Sequence, residues 1–218
     1  MKIKSRQHSP FTTHDSRLTI QPSSMTSRDK ILSAVKRNQP ASVPLPEAEN
    51  ILQPFTNAAE KFETVLQVIG GQVFNAANET EIIMQLQSQF AGEKRIISVL
   101  PGMAPFAVFY DIEEDPHLLE NVDVAIIPAQ FAVAENGAVW VTDQVLPGRV
   151  LPFICQHLVV LVNREDIVDS LHVAYDVIGS SRYGFGTFIA GPSKTADIEQ
   201  SLVLGAHGPK SMTVFLMA

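Results

Sequence analysis

Short apolar runs alternate with amphipathic stretches along most of this chain, and this alternation restricts the fold more than any other feature. Residues 123–127 and 157–162 are mostly apolar, as in strands that are covered on both faces. Residues 57–69 and 79–90 instead repeat apolar side chains at helical spacing. The alternation predicts an α/β fold in which a mainly parallel sheet has helices on both faces.

The remaining elements follow from the same patterns. Predicted helices cover 57–69, 79–90, 165–178 and 195–204, and predicted strands cover 72–75, 95–100, 123–127, 131–134, 138–142, 157–162, 187–190 and 212–217. Strands 131–134 and 138–142 flank Glu135-Asn136-Gly137, and Asn-Gly is the favoured pair of a type I′ turn. We therefore expect an antiparallel hairpin added to the parallel sheet.

The first 46 residues differ from the rest of the chain. Residues 1–25 are rich in Ser, Thr, Gln and Pro without periodicity, which predicts a disordered leader, and Met25 is an alternative start. A helix is expected over Ser27–Arg37, and Pro40, Pro44 and Pro46 then predict a stiff linker. The folded domain would be 47–218.

Charge and composition exclude several classes of protein. The net charge is −7: residues 1–46 hold eight basic and two acidic residues, whereas 47–218 hold eight basic and twenty-one acidic residues. An acidic body argues against non-specific nucleic-acid binding. The basic segment either contacts a partner or is an exposed tail.

Membrane, secretory and metal-binding signals are also missing from the sequence. The longest stretches without charge are 15 residues and contain glycine, so no membrane span is expected. No secretory apolar core follows the start, and we expect a cytoplasmic location. The single cysteine, Cys155, excludes an internal disulfide or an iron–sulfur cluster held by this chain alone, and the histidine spacings suggest no metal site.

The Glu135 turn is the first of three candidate functional segments. Ligands of open α/β sheets bind beyond the carboxyl ends of the strands. A carboxylate at a tight turn is held by the backbone yet stays accessible, which suits a nucleophile or a base. The alternative is that Glu135 merely precedes a hairpin turn and faces water.

The second segment runs from Gly191 to Glu199. Ser193 and Thr195 could cap the predicted helix 195–204, and with Lys194 they could hold a phosphate or carboxylate. Asp197 and Glu199 fall in the first turn of that helix and would repel an anion unless they point away. Capping alone is the alternative role.

The third segment is Gly205-Ala206-His207-Gly208-Pro209. A histidine between glycines lies close to bare backbone and could act as an acid or base or bind an anion. Alternatively, His207 only helps to end the predicted helix. We expect these three segments to converge at one edge of the sheet.

The last hundred residues resemble a known family. The runs Gly191–Glu199 and Leu202–Pro209 are similar to the C-terminal signature of the LUD domain, the family of lactate utilisation protein C. The hairpin with Glu135 and the segment 151–162 resemble the same family. The sequence departs from it at Lys194, where arginine is common, and at Asn136, where threonine is common.

The resemblance implies a fold and a function. The fold would be like that of the NagB/RpiA/CoA-transferase group. The context would be oxidation of L-lactate to pyruvate in bacteria, with this chain as an accessory subunit beside iron–sulfur protein subunits. A small anionic metabolite would bind at Glu135, Asn136, Gly137, Gly191, Ser193, Lys194, Thr195, Asp197, Glu199, His207 and Gly208, with Glu135 and His207 as catalytic candidates.

A more distant resemblance gives a rival hypothesis. In related CoA transferases a Glu-Asn-Gly turn carries the catalytic glutamate, and Ala134–Gly137 contains the same three residues. The chain would then be a stand-alone acyl- or CoA-transferase that uses Glu135, although a shared fold alone does not establish this activity. A scaffold that only docks partners is a third hypothesis.

Overall fold

The secondary structure is defined over residues 25–44, 54–110, 115–196 and 202–218 of the computed structural model. In chain order the strands are β1 (Gln72–Ala76), β2 (Ile96–Ser98), β3 (Val108–Phe109), β4 (Val124–Pro128), β5 (Phe131–Val133), β6 (Ala138–Thr142), β7 (His157–Asn163), β8 (Ile167–Val168), β9 (Gly186–Ile189), β10 (Lys194–Ala196), β11 (Leu202–Leu204) and β12 (Ser211–Met217). The α-helices are α1 (Ser27–Arg37), α2 (Ala58–Val68), α3 (Glu79–Gln89), α4 (Leu151–Ile154) and α5 (Leu171–Ile178).

The chain divides into two units, residues 1–49 and 50–218. In the first unit, α1 has the predicted bounds and begins at a capping box formed by Thr26 and Asp29. The predicted leader, apart from Met25, and Pro46 of the predicted linker lie outside the described residues.

The second unit is built on a parallel sheet with strand order β1-β12-β7-β4-β2-β3. Side chains alternate between its two faces. Ala125, Val160 and Val214 pack on the face that α2 covers, and Ile126 and Val159 pack on the face that α3 covers. Burial on both faces explains why the central strands read as continuous apolar runs. The predicted parallel sheet with helices on both faces is confirmed.

A smaller sheet with strand order β8-β5-β6-β9 packs over the α2 face of the main sheet. Its inner side chains include Ala132 and Val139, whereas Phe131 and Trp140 on the outer side pack with α5. The predicted hairpin is therefore confirmed, but it belongs to a separate sheet. The loop of the hairpin is the four residues Ala134–Gly137, so the predicted two-residue type I′ turn at Asn136-Gly137 is wrong.

Two predicted helices differ from the structure. The helix expected over 165–178 begins only at Leu171, because Ile167–Val168 forms strand β8 beside β5. The helix expected over 195–204 is wrong: Lys194–Ala196 and Leu202–Leu204 pair as antiparallel strands. Short apolar runs do not distinguish helix from strand, and here tertiary pairing decides.

Among the described residues, no helix is long and apolar enough to cross a membrane.

Candidate functional site

A small hollow of about 240 Å³ brings together four of the predicted site residues. Gly191, Ser193, His207 and Gly208 line it, together with apolar side chains that include Phe153 and Phe188. The hydroxyl of Ser193 and the exposed imidazole of His207 are its main polar side chains. Two segments that are separated by the β10–β11 hairpin therefore meet in one place.

Backbone hydrogen bonds hold these two segments together. The amide of Ser193 donates to the carbonyl oxygen of Pro209 at 2.8 Å, and the amide of Gly205 donates to the carbonyl oxygen of Ser193 at 3.1 Å. A Cβ built on Gly208 would lie 3.2 Å from the Cβ of Ser193. Gly208 thus lets the backbone approach Ser193 closely, as expected for a glycine at a ligand-sized cleft.

The helix-capping roles predicted for this region do not apply, because there is no helix over 195–204. Ser193 lies in the loop before β10, and Thr195 pairs with Val203 across the hairpin. His207 follows a strand instead of ending a helix. Asp197 and Glu199 lie outside the described residues. An anion site built on a helix N-terminus is therefore wrong for this segment.

Lys194 lies at the start of β10 with its side chain directed to the end of α2. Its ammonium group donates to the carbonyl oxygen of Ile69. It also lies beside Gly70, where a Cβ would be 3.6 Å from the Lys194 Nζ. Lys194 is not among the residues that line the hollow; in this structure its ammonium group instead satisfies a backbone carbonyl at the end of α2.

The Glu135 turn is anchored to the start of α5. The Oε2 atom of Glu135 accepts a hydrogen bond of 2.9 Å from the backbone amide of Leu171. The backbone amide of Glu135 donates to the carbonyl oxygen of Asp169 at 3.0 Å. The side-chain oxygen of Asn136 accepts from the amide of Ala138 at 3.0 Å. Glu135 is exposed but does not line the hollow, and its carboxylate satisfies a helix amide.

The turn and the hollow nevertheless adjoin each other through Ile69. Cβ atoms built on Gly137 and on Gly191 would each lie 3.3 Å from the Cδ1 of Ile69. Both glycines have positive φ, 69° and 70°. The Glu135 turn and the Gly191 loop therefore both contact the Ile69 side chain, but the convergence of all three segments on one site stays a prediction. Whether these residues bind a ligand stays a prediction.

The apolar wall of the hollow and the role of Ile69 are not predictable from the sequence patterns. Phe153 belongs to the short helix α4, and Phe188 belongs to β9. Both read in the sequence as ordinary apolar positions. Only their convergence on Ser193 and His207 in space distinguishes them, so no local signal could have found them.

Neither Cys155 nor a metal cluster adds chemistry to this region. Burial raises the pKa of the Cys155 thiol to about 12, and its side chain belongs to the main core. Over the described residues, no group of three or more His, Cys, Asp or Glu side chains could hold a metal ion.

Part of the chain matches a known protein family. The family model of the LUD domain matches residues 110–217, a range that includes the Glu135 turn and both segments of the hollow. A DUF162 family protein from Deinococcus radiodurans shares the fold, with a TM-score of 0.57, 17% identity and coverage of 74% of this chain and 96% of that chain. Residues 110–217 of this chain therefore match the LUD domain family.

Several relatives are named Lactate utilization protein C. That of Bacillus pumilus is 30% identical over 103 residues, which are 44% of this chain and 43% of the relative. That of Bacillus subtilis is 30% identical over 112 residues, 49% and 47% of the two chains. That of Anoxybacillus flavithermus is 27% identical over 174 residues, 74% and 72% of the two chains. The match to the first of these spans less than half of the relative's length.

Replacement of Gly137 by alanine tests the contact between the turn and α2. A Cβ at Gly137 would lie 3.1 Å from the amide nitrogen of Leu66, and its φ of 69° disfavours any side chain. We expect Gly137→Ala to lower the free energy of unfolding by about 1–3 kcal/mol in urea titrations. Gly92→Ala is the control, since nothing lies within 4 Å of its Cβ position. Equal stability of the two variants would contradict this contact.

The reactivity of Cys155 tests its burial. With a pKa of about 12 the thiol is protonated at pH 8, so a disulfide reagent should label the folded protein about a thousandfold more slowly than the unfolded chain. The rate of labelling should rise with pH, because the thiolate fraction rises. Labelling of the folded protein as fast as in urea would contradict a buried thiol.

Proposed function

We propose that this chain is a subunit of a bacterial L-lactate utilisation system, in which it binds a small carboxylate such as L-lactate or pyruvate. The observation that carries the proposal is the similarity to relatives named Lactate utilization protein C, together with the LUD domain over residues 110–217. The binding site in this proposal is the hollow lined by Ser193, His207 and Gly208.

The size and lining of the hollow support a small anion. Its volume of about 240 Å³ is below the range of roughly 300–1,000 Å³ that is usual for drug-sized ligands. The hydroxyl of Ser193, the imidazole of His207 and the nearby glycine backbone can donate hydrogen bonds to a carboxylate and to the hydroxyl of lactate. The wall at Phe153 and Phe188 suits the methyl group of lactate.

Oxidation of lactate to pyruvate also requires an electron acceptor. This chain has one cysteine, and Cys155 is buried in the main core. It therefore lacks the thiolates that hold an iron–sulfur cluster. We propose that iron–sulfur protein subunits, docked to this chain, accept the electrons.

A calorimetric titration tests the binding of a carboxylate. We expect L-lactate or pyruvate to bind the wild-type protein, and His207→Gln and Ser193→Ala each to weaken binding by about fivefold to tenfold, because the first moves a hydrogen-bond donor and the second removes one. His172→Gln is the matched control, since this exposed histidine lies on α5 and does not line the hollow. Binding that is unaffected at His207 and Ser193 would contradict this site.

The transferase hypothesis and the docking hypothesis have separate tests. The carboxylate of Glu135 is engaged with the amide of Leu171, so we expect no covalent adduct on Glu135 by mass spectrometry after incubation with acetyl-CoA. An adduct that Glu135→Ala removes would favour the transferase instead.

Co-expression with the cysteine-rich proteins of neighbouring genes should yield a stable complex on gel filtration, and failure to associate would contradict the subunit role.

A further inference from the structure

A second hollow lies on the outer side of the smaller sheet, between that sheet and the C-terminal end of α5. Its volume is about 420 Å³, which falls within the usual range for small-molecule sites. Its residues are not those of the Ser193–His207 hollow. We call it the aromatic pocket.

Aromatic rings form one side of this pocket. Phe131 and Trp140 lie opposite each other on β5 and β6, with ring centroids 6.2 Å apart and nearly parallel planes. Tyr183 meets Trp140 edge to face at 5.7 Å. Trp140 is held in place by its neighbours, because a Cβ on Gly186 would lie 2.6 Å from its ring and Phe188 packs at 4.5 Å. The rings on this side of the pocket therefore pack closely on one another.

The charged residues in the lining are all acidic. Glu165 and Asp166 follow β7 and are lining residues, and none of the described residues in the lining is a lysine, arginine or histidine. Asp166 keeps its position through a 2.7 Å hydrogen bond from the side-chain amide of Asn163. The adjacent Arg164 does not neutralise these acids, since its guanidinium reaches Asn75 at 2.7 Å and Glu63 at 3.4 Å.

Side-chain amides complete the pocket. The Nε2 of Gln130 donates to the Oε1 of Gln144 at 3.2 Å, and the Nε2 of Gln144 donates to the carbonyl oxygen of Arg182 at 2.9 Å. These bonds fix the two amides relative to the aromatic rings. This pocket therefore combines aromatic rings, two acidic residues and oriented amides. The Ser193–His207 hollow instead offers a hydroxyl and an imidazole.

We propose that the aromatic pocket binds a small organic cation, of the substituted-ammonium class, with its charge between the aromatic rings and the two carboxylates. Tyr183 is 40% exposed, and an aromatic face attracts a cation through its quadrupole, whereas Phe131 and Trp140, which are 5% and 6% exposed, are nearly buried in the apolar wall. Carboxylates add a favourable charge interaction and disfavour anions by the same amount. The pocket therefore selects cations, and this selection does not depend on the proposed lactate function.

The only tryptophan of the chain is in this pocket, so its fluorescence reports binding directly. We expect benzyltrimethylammonium, added at constant ionic strength, to change the emission of Trp140 in a saturable way. Benzoate, of similar shape but opposite charge, should not produce a saturable change. A response that is linear in concentration, or equal for the two probes, would overturn the proposal.

Substitution of the acids tests the source of selectivity. Glu165→Gln and Asp166→Asn should each weaken binding of benzyltrimethylammonium by about fivefold, because each removes one charge near the surface. Asp176→Asn is the matched control, since this exposed acid on α5 is not in the lining. Circular dichroism should show that all three variants are folded. If the control weakens binding as much as the pocket variants, the effect is of net charge alone and the proposal is wrong.

Binding measurements on two variants distinguish this pocket from the Ser193–His207 hollow. His207→Gln should leave the fluorescence titration with benzyltrimethylammonium unchanged, and Glu165→Gln should leave lactate binding unchanged. A loss of cation binding in His207→Gln would show that the probe binds elsewhere and would overturn the assignment.

Discussion

The packing of α2 against both sheets is the constraint on which the rest of the domain depends. Phe62 and Leu66 are fully buried, and the helix ends where its backbone meets glycines from other elements. Gly137 lies against the Leu66 backbone, and Gly191 lies against Ile69. A side chain at either glycine would separate these elements. The close packing therefore sets the position of the Glu135 turn and of the loop that leads into the Ser193–His207 hollow.

The smaller sheet separates two kinds of chemical environment. Its inner side chains complete the core over the main sheet, while its outer side carries the aromatic pocket with Glu165 and Asp166. Phe188 links the two regions, because it packs against Trp140 and also lines the hollow with His207. In the two proposals made above, the two cavities bind ligands of opposite charge.

The sequence predicted the elements whose patterns extend over several residues, and it failed where the pattern was short. The apolar strands around Val124 and Val160 and the amphipathic helix α2 came out almost as predicted, since burial imposes a clear period. Residues 195–204 did not, because three-residue strands leave no period to read and the hairpin depends on the pairing of Thr195 with Val203. The site roles of Ser193 and Thr195 as helix caps failed for the same reason.

The sequence by itself determined the class of fold, the family signature and the presence of Glu135, Ser193 and His207 near glycines. These depend on local composition and spacing, which are fixed by covalent order. Only the tertiary structure decided that Ser193 and His207 share a hollow, that the Glu135 carboxylate instead bonds the start of α5, and that Trp140 lies in a pocket with two acids. Such neighbours are distant along the chain, and packing of the sheets alone brings them together.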